Sequence, residues 1–374
     1  MAFAGGNGTV ANPYQIATAA HLNDVRNYLS SHFIMLNNID LSTATRIDGT
    51  YWNGSAGWNP FGTDTDGFKG TFNGNGFSII GMYIKRNIYA LGGFCKFLDY
   101  TGVIKNLNMV SIEIVKTSGN RTGSLVGSNR GLIYRCSASG SITATTGAYI
   151  GGLVGYNENY TSSIIRESFS KVNVITAADS SYIGGLVGTN ASIIEDCYCS
   201  GTVNGKRYVG GFSGSMGWGS MIYRSYTISP VTKTHATNFG GFNGGEGAHP
   251  CFYCGFDVQA TGFTQTGLIG TMRWPYTSME YPTGLSTALA KSFSTYSAHW
   301  NIALLENFTN QIWKMCEGTY PILGWDNINV PSHTVTYLVD SKTYDQDIIT
   351  CGSKLTPPPP PVKKRFGFID DPNT

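Results

Sequence analysis

Charge is scarce in this chain of 374 residues: only 13% are charged, against the ~25% usual for soluble domains, and the formal net charge is +2. No basic footprint exists, which excludes nucleic acid and a charge-held anionic membrane surface as partners. Long apolar runs are missing too. Nothing approaches the ~18 consecutive apolar residues of a spanning helix, so no membrane insertion is expected. The opening "MAFAGGNGTVANPYQ" has neither a positive n-region nor an apolar h-region, so a secretory leader is not expected in it. Cysteines number 8, too few for a disulfide framework at this length, and they fit reduced thiols. The 6 histidines form no His-Glu-x-x-His run, which removes a zinc-peptidase centre. Metal and cofactor are both expected to be none.

Glycine, in contrast, is abundant at 48 residues, about twice the usual share. With 41% apolar residues the chain can still bury a core. The glycines are organised. Gly92-Gly93-Phe94, Gly123 to Gly127, Gly151 to Gly155 ("GGLVG"), Gly184 to Gly188 ("GGLVG"), Gly210 to Gly214 ("GGFSG") and Gly240 to Gly244 ("GGFNG") recur at roughly 30-residue intervals. Between them lie "VIKNLNM" (Val103 to Met109), "LIYRCSA" (Leu132 to Ala138), "IIRESFS" (Ile164 to Ser170), "IIEDCYC" (Ile193 to Cys199) and "MIYRSYT" (Met221 to Thr227). The second place is always branched. The fifth reads Leu107, Cys136, Ser168, Cys197, Ser225 and then Cys254, a column sized for the inside of a narrow coil. A third run, such as "KVNVIT" (Lys171 to Thr176), completes each unit. Three short strands per unit, punctuated by Gly, Asn and Ser, specify one three-sided turn of a solenoid. The fold class is therefore all-β: a right-handed parallel β-helix.

In this reading Gly151, Gly152, Gly155, Gly184, Gly185, Gly188, Gly210, Gly211 and Gly214 are structural, serving positive φ at corners or close backbone approach. A phosphate-binding loop is excluded, because "YNENYTSS" and "TNASII" follow the phrase where a helix N-terminus is required. "GFSGS" (Gly211 to Ser215) only approaches a nucleophile elbow, and the repeat accounts for it.

The "GGLVG" and "GGFSG" phrases followed by an Ile-x-x-Cys/Ser strand resemble the GLUG-motif repeat of bacterial surface adhesins, of non-catalytic parts of immunoglobulin A peptidases and of phage fibre proteins. Flanking phrases extend the resemblance over roughly residues 6–325, from "GNGTVANPYQ" to "WKMCEGTYPILGW". Residues 1–50 are expected to form an N-terminal cap and first rung, with Thr18 capping a short helix that carries Leu22, Val25 and Leu29. Residues 51–270 form the β-helix, 271–328 a C-terminal cap with a helix near Ser286 to Phe293, and 329–374 a small β appendage. That appendage resembles a truncated internalin-type β-grasp repeat and ends in the polyproline run Pro357 to Pro361 and the basic Lys363 to Arg365.

Chemistry-bearing residues are few. "DTDG" (Asp64 to Gly67) reads as a tight turn rather than a calcium loop, and Cys251 and Cys254 have metal spacing but no second pair. The acids Glu158, Glu167, Glu195 and Asp196 fall among the repeats. Glu167 and Asp196 share a register in neighbouring rungs, the one arrangement that could make a catalytic dyad, as in sugar-cleaving β-helices. Arg135 and Arg224 continue that register on either side, so an outward charge ladder is the simpler account. Trp52, Trp58, Tyr156, Tyr160, Trp218 and Tyr223 are the candidate binding residues, placed in loops where flat rings can stack on sugars.

The resulting expectation is a non-enzymatic structural or adhesive module. A virion component assembled in the host cytoplasm comes first, a bacterial cell-surface adhesin second and a polysaccharide-cleaving β-helix third. Its expected partners are other virion or surface proteins, reached through the C-terminal tail, and glycans.

Overall fold

The computed structural model describes residues 3–63, 65–86, 92–116, 120–245, 250–263, 283–316 and 318–326, together with the backbone of 332–339 and 342–350. Asp64, His249, Cys351, Pro357 to Pro361 and Lys363 to Arg365 lie outside the described residues. The chain winds into a parallel β-solenoid of about 6 turns. The first strands of successive turns, Cys95–Leu98, Val126–Asn129, Val154–Asn157, Val187–Asn190 and Ser213–Met216, make one parallel sheet. On the second face Ile104, Ile133, Ile165, Ile194, Ile222 and Cys251 lie in one register line. Alternation along each strand sends that line inward, and the five isoleucines are 0% exposed.

The fifth-place column is also interior. Leu107, Cys136, Ser168, Cys197, Ser225 and Cys254 are all buried. Serine works there because its hydroxyl is engaged: Ser168 Oγ accepts from the Cys136 amide at 3.1 Å and Ser225 Oγ from the Cys197 amide at 3.1 Å. Burial pushes the Cys136 and Cys199 thiols up to about 12, so both are poor nucleophiles. Cys316 differs from these thiols in being disulfide-bonded, which the composition did not lead one to expect.

The corners depart from expectation in a definite way. None of the nine structural glycines named above has a positive φ. That conformation falls instead to Arg135 (51°), Glu167 (45°), Asp196 (52°) and Arg224 (42°) at one corner, and to Tyr149 (60°), Tyr182 (62°) and Tyr208 (52°) at another. Each costs about 1–2 kcal/mol for an L-residue. Contacts between like residues one rung apart offset the cost. Tyr149 stacks on Tyr182 at 5.0 Å, and Tyr182 on Tyr208 at 4.8 Å, with the ring planes nearly parallel. The glycines that follow serve close approach alone. A Cβ on Gly155 would lie 2.5 Å from the Arg121 carbonyl carbon, the Gly127 oxygen and the Thr122 nitrogen, so two backbones touch there with no room for a side chain.

Beside this pinch runs a buried amide ladder that the repeat alignment left out. Asn129 Nδ2 donates to Asn157 Oδ1 at 2.7 Å, and Asn157 Nδ2 to Asn190 Oδ1 at 2.8 Å; all three residues are 0% exposed. Such a ladder satisfies interior polar groups and holds the rungs in register. Its signal was present in "LVGSN", "LVGYN" and "LVGTN".

The N-terminal helix spans Ala19–Asp24, with Thr18 Oγ1 accepting from the His21 amide and Leu22 buried beneath it. Toward the other end, Thr283–Leu285 pairs with Gly255–Asp257 as a further strand, and Ser286 caps a helix at Thr287–Ala290. The chain then does more than close the end. Residues 293–326 run back along one flank, where Tyr296, Trp300, Trp313, Met315 and Leu323 cover Phe169, Tyr198 and Tyr226. Those three rings stack outward from consecutive rungs, at 4.7 and 5.3 Å. An antiparallel hairpin, Ser332–Val339 with Lys342–Thr350, follows. Among the described residues no helix is long and apolar enough to cross a membrane.

Asp257 ties the flank segment to the coil at Tyr320. It caps the helix Val258–Thr261 and accepts the Tyr320 hydroxyl at 2.6 Å. Burial pushes its carboxyl up, but hydrogen bonds from Tyr320, Ala260, Thr287 and Gln259 outweigh burial and hold it below the ordinary 3.8. A carboxyl depressed on folding contributes stability that is fully present above its unfolded value and lost as pH falls through the folded one. Acid titration below pH 3.8 is therefore expected to loosen the flank segment, read as a red shift of tryptophan emission, and Asp257→Asn should flatten that transition.

Candidate functional site

Register places Arg135, Glu167, Asp196 and Arg224 at one corner, as their spacing requires. The structure divides them into two ion pairs. Arg135 Nε meets Glu167 Oε2 at 2.7 Å; Arg224 meets both oxygens of Asp196, at 2.8 and 2.7 Å. Neither acid faces solvent as an outward ladder would, since Glu167 is 6% and Asp196 1% exposed. The flank segment covers them. Trp313 Nε1 donates to Asp196 Oδ1 at 3.0 Å, and Trp325 Nε1 to the Glu167 carbonyl at 3.0 Å. The hydrogen bond to Asp196 is the main reason Arg224 is pushed above its ordinary value. A carboxylate that accepts two guanidinium bonds and an indole donor is a structural anchor, its oxygens already engaged. Glu158 is engaged by Arg121, Arg130 and Ser128, and Glu195 by Arg166 and Arg224. Ser213, the elbow-like serine, is buried with its hydroxyl on the Ser215 carbonyl.

The six aromatic candidates separate by burial. Trp58 belongs to the core, contrary to its placement as a surface residue: it is 0% exposed, stacks on Phe94 and donates to the Phe94 carbonyl. Trp52 lies on Tyr83, Tyr156 between Tyr149 and Arg121, and Tyr223 on Phe252, all half-buried. Two remain at the surface. Tyr160 is 38% and Trp218 80% exposed, and Tyr100, which the sequence did not single out, joins them at 48%.

These three rings occupy one corner, in the turns between the first and second strands of their rungs. Tyr100 meets Tyr160 edge to face at 4.9 Å across an intervening rung. Arg130 on that rung lies over both rings and is held by Glu158 Oε2 at 2.7 Å. Farther along, Trp218 sits in a Gly-Trp-Gly turn whose Gly219 abuts Asn159, the neighbour of Tyr160. Ser192 Oγ ties the Tyr160 carbonyl to the next rung at 2.8 Å. The arrangement is a rigid ridge of aromatic faces with a guanidinium between them, suited to apolar faces of a hydroxylated ligand.

The family model for the GLUG motif matches residues 146–175 and 179–204. Both matches fall on the stacked Tyr149 and Tyr182 rungs. Two successive stretches of the parallel β-solenoid thus match the GLUG motif. The chain is 40% identical over 134 residues to a "Putative Gly-rich membrane protein" of Evansella cellulosilytica, covering 35% of the chain and 15% of that protein. It is 34% identical over 154 residues to "Halomucin" of Haloquadratum walsbyi, covering 40% of the chain and 2% of that protein. The matched stretches are thus small parts of much longer relatives. Among solved structures, a "putative immunoglobulin A1 protease" from Bacteroides ovatus superposes with a TM-score of 0.63 at 21% identity, over 87% of this chain and 96% of that one. At that identity the likeness establishes the fold alone.

Proposed function

We propose that the GLUG solenoid is a non-enzymatic adhesive module displayed on a cell surface, which presents the Tyr100–Tyr160–Trp218 ridge to surface glycans. The exposed Trp218 carries this reading: an indole 80% open to solvent contributes little to folding, yet it stands at the same corner of the coil as two further open rings. The burial and pairing of Glu167 and Asp196 support a binding role over catalysis. The names of the two relatives support a cell surface over the virion that the sequence suggests. A disulfide-bonded Cys316 fits the same side, since disulfides persist in oxidising surroundings.

The test is binding of the whole chain to an immobilised glycan array and to intact bacterial cells. Trp218→Ala and Tyr160→Ala should each weaken binding by about tenfold or more. Both residues are exposed, so stability should stay within ~0.5 kcal/mol. Undiminished binding by the double variant would refute the ridge.

A further inference from the structure

The flank on which residues 293–326 pack also carries a cleft among the described residues. Along it the sixth-place residues form one register line: Ser78, Asn108, Ser137, Phe169, Tyr198, Tyr226. The line changes character midway. Where it is aromatic the flank segment lies on it; where it is small and polar, beside Trp325 and Asp326, a cleft of about 520 Å³ opens. Asn38, Phe77, Asn106, Asn108, Arg135 and Trp325 line that cleft. A volume in the range ~300–1,000 Å³ is that of small-ligand sites.

We propose that this cleft binds a neutral oligosaccharide, at a site separate from the corner ridge. The lining has the mixed chemistry a sugar ring requires: aromatic carbon at Phe77 and Trp325, and carboxamides and a guanidinium for hydroxyl groups. These groups are held before any ligand arrives. Asn108 Nδ2 donates to the Gly76 carbonyl at 3.0 Å while its Oδ1 accepts from Ser137 Oγ at 2.8 Å. Asn38 Oδ1 accepts from the Ser78 amide at 2.8 Å, Asn106 Nδ2 donates to Asn73 Oδ1 at 3.1 Å, and Trp325 is fixed by the Glu167 carbonyl. Ordering beforehand lowers the entropy cost of binding.

Charge narrows the ligand class. The guanidinium of Arg135 is balanced by Glu167 at 2.7 Å, and Asp326 at the cleft's end is 1% exposed, accepting the Tyr198 hydroxyl at 2.9 Å with Lys171 at 3.5 Å. A cleft so compensated selects neither an acidic nor a basic sugar. Among the described residues it also presents no open carboxylate, so the sugar is bound and left intact.

The experiment is calorimetric titration of the full chain with maltohexaose, cellohexaose and chitohexaose in turn. At least one should bind. Ser78→Phe, which places in the cleft the kind of ring that Phe169 carries on the same register line, should weaken that binding by about tenfold or more, with thermal stability retained. Asn38→Trp, on the exposed rim, should do the same and serves where Ser78→Phe does not fold. Trp218→Ala is expected to leave this binding intact, which separates the cleft from the ridge. No heat with any of the three sugars, or titrations unchanged by both filling variants, would overturn the proposal. Binding lost in Trp218→Ala but kept in Ser78→Phe would assign the sugar to the ridge and overturn it equally.

Discussion

Gly155→Ala is expected to destabilise the protein by roughly 3 kcal/mol or more, an overpacking effect at the upper end of the usual range. The added methyl would sit 2.5 Å from three backbone atoms, of Arg121, Gly127 and Thr122, none of which can rotate aside as a side chain would. Relief requires the two packed backbones to separate, and the neighbouring Gly188 is pressed in the same way against Tyr149 and Ile150. Displacing one rung therefore strains the next. In a thermal melt followed by circular dichroism the variant should lose about 4 °C or more. Gly217→Ala is the control. Its methyl would lie 3.2 Å from the Ala191 Cβ and 3.7 Å from the nearest backbone atoms, contacts that small shifts can absorb. Equal melting of Gly155→Ala and the parent would show that the coil is not pinched there.

This contrast also marks how far the repeat phrase could be read in advance. That the glycines are scaffold was legible, because a phrase recurring at solenoid period without a following helix cannot hold a phosphate. Which torsion they adopt was not. Positive φ is commonly assigned to glycine, yet here the corner belongs to Tyr149 and Tyr182, whose stacked rings offset the backbone cost. The interior columns were legible for a related reason: a residue stacked on its own counterpart must suit the same surroundings in every rung, so Ile104 to Ile222 and Leu107 to Cys254 stand out by recurrence.

What recurrence does not encode is what lies over the outside of the coil. Phe169, Tyr198 and Tyr226 occupy the sixth place, which alternation turns outward, and three successive outward aromatics were a signal that something must cover them. The cover comes from residues far along the chain, with Tyr198 bonded to Asp326 and Tyr226 to the Pro321 carbonyl, so no local pattern joins the two. The acidic pair was misread for the same reason. Its register was clear from sequence, and its burial followed only from Trp313 and Trp325. Trp58 looked like a loop aromatic because its core partner, Phe94, lies a rung away.

Trp313→Ala should accordingly free the flank segment while leaving the solenoid wound. Trp313 is 0% exposed, donates to Asp196 Oδ1 at 3.0 Å, and packs on Trp300 at 4.6 Å and on Tyr226 and Tyr198 at about 6 Å. Truncating a buried tryptophan costs about 3–5 kcal/mol, and the Asp196 carboxylate loses a donor besides. The loss falls on a layer joined to the coil by side chains, whereas the rungs are joined by backbone hydrogen bonds, so the two need not fail together. Near-ultraviolet circular dichroism should collapse as the aromatic cluster opens, while the far-ultraviolet β signal persists. Limited proteolysis should begin to cut between residues 293 and 326. Asp196→Asn should give a smaller shift in the same direction, since Arg224 would face a neutral amide and Trp313 would still have an oxygen to bond. A Trp313→Ala protein as protease-resistant as the parent would mean that the flank segment is held elsewhere, and that the burial of Glu167 and Asp196 does not depend on it.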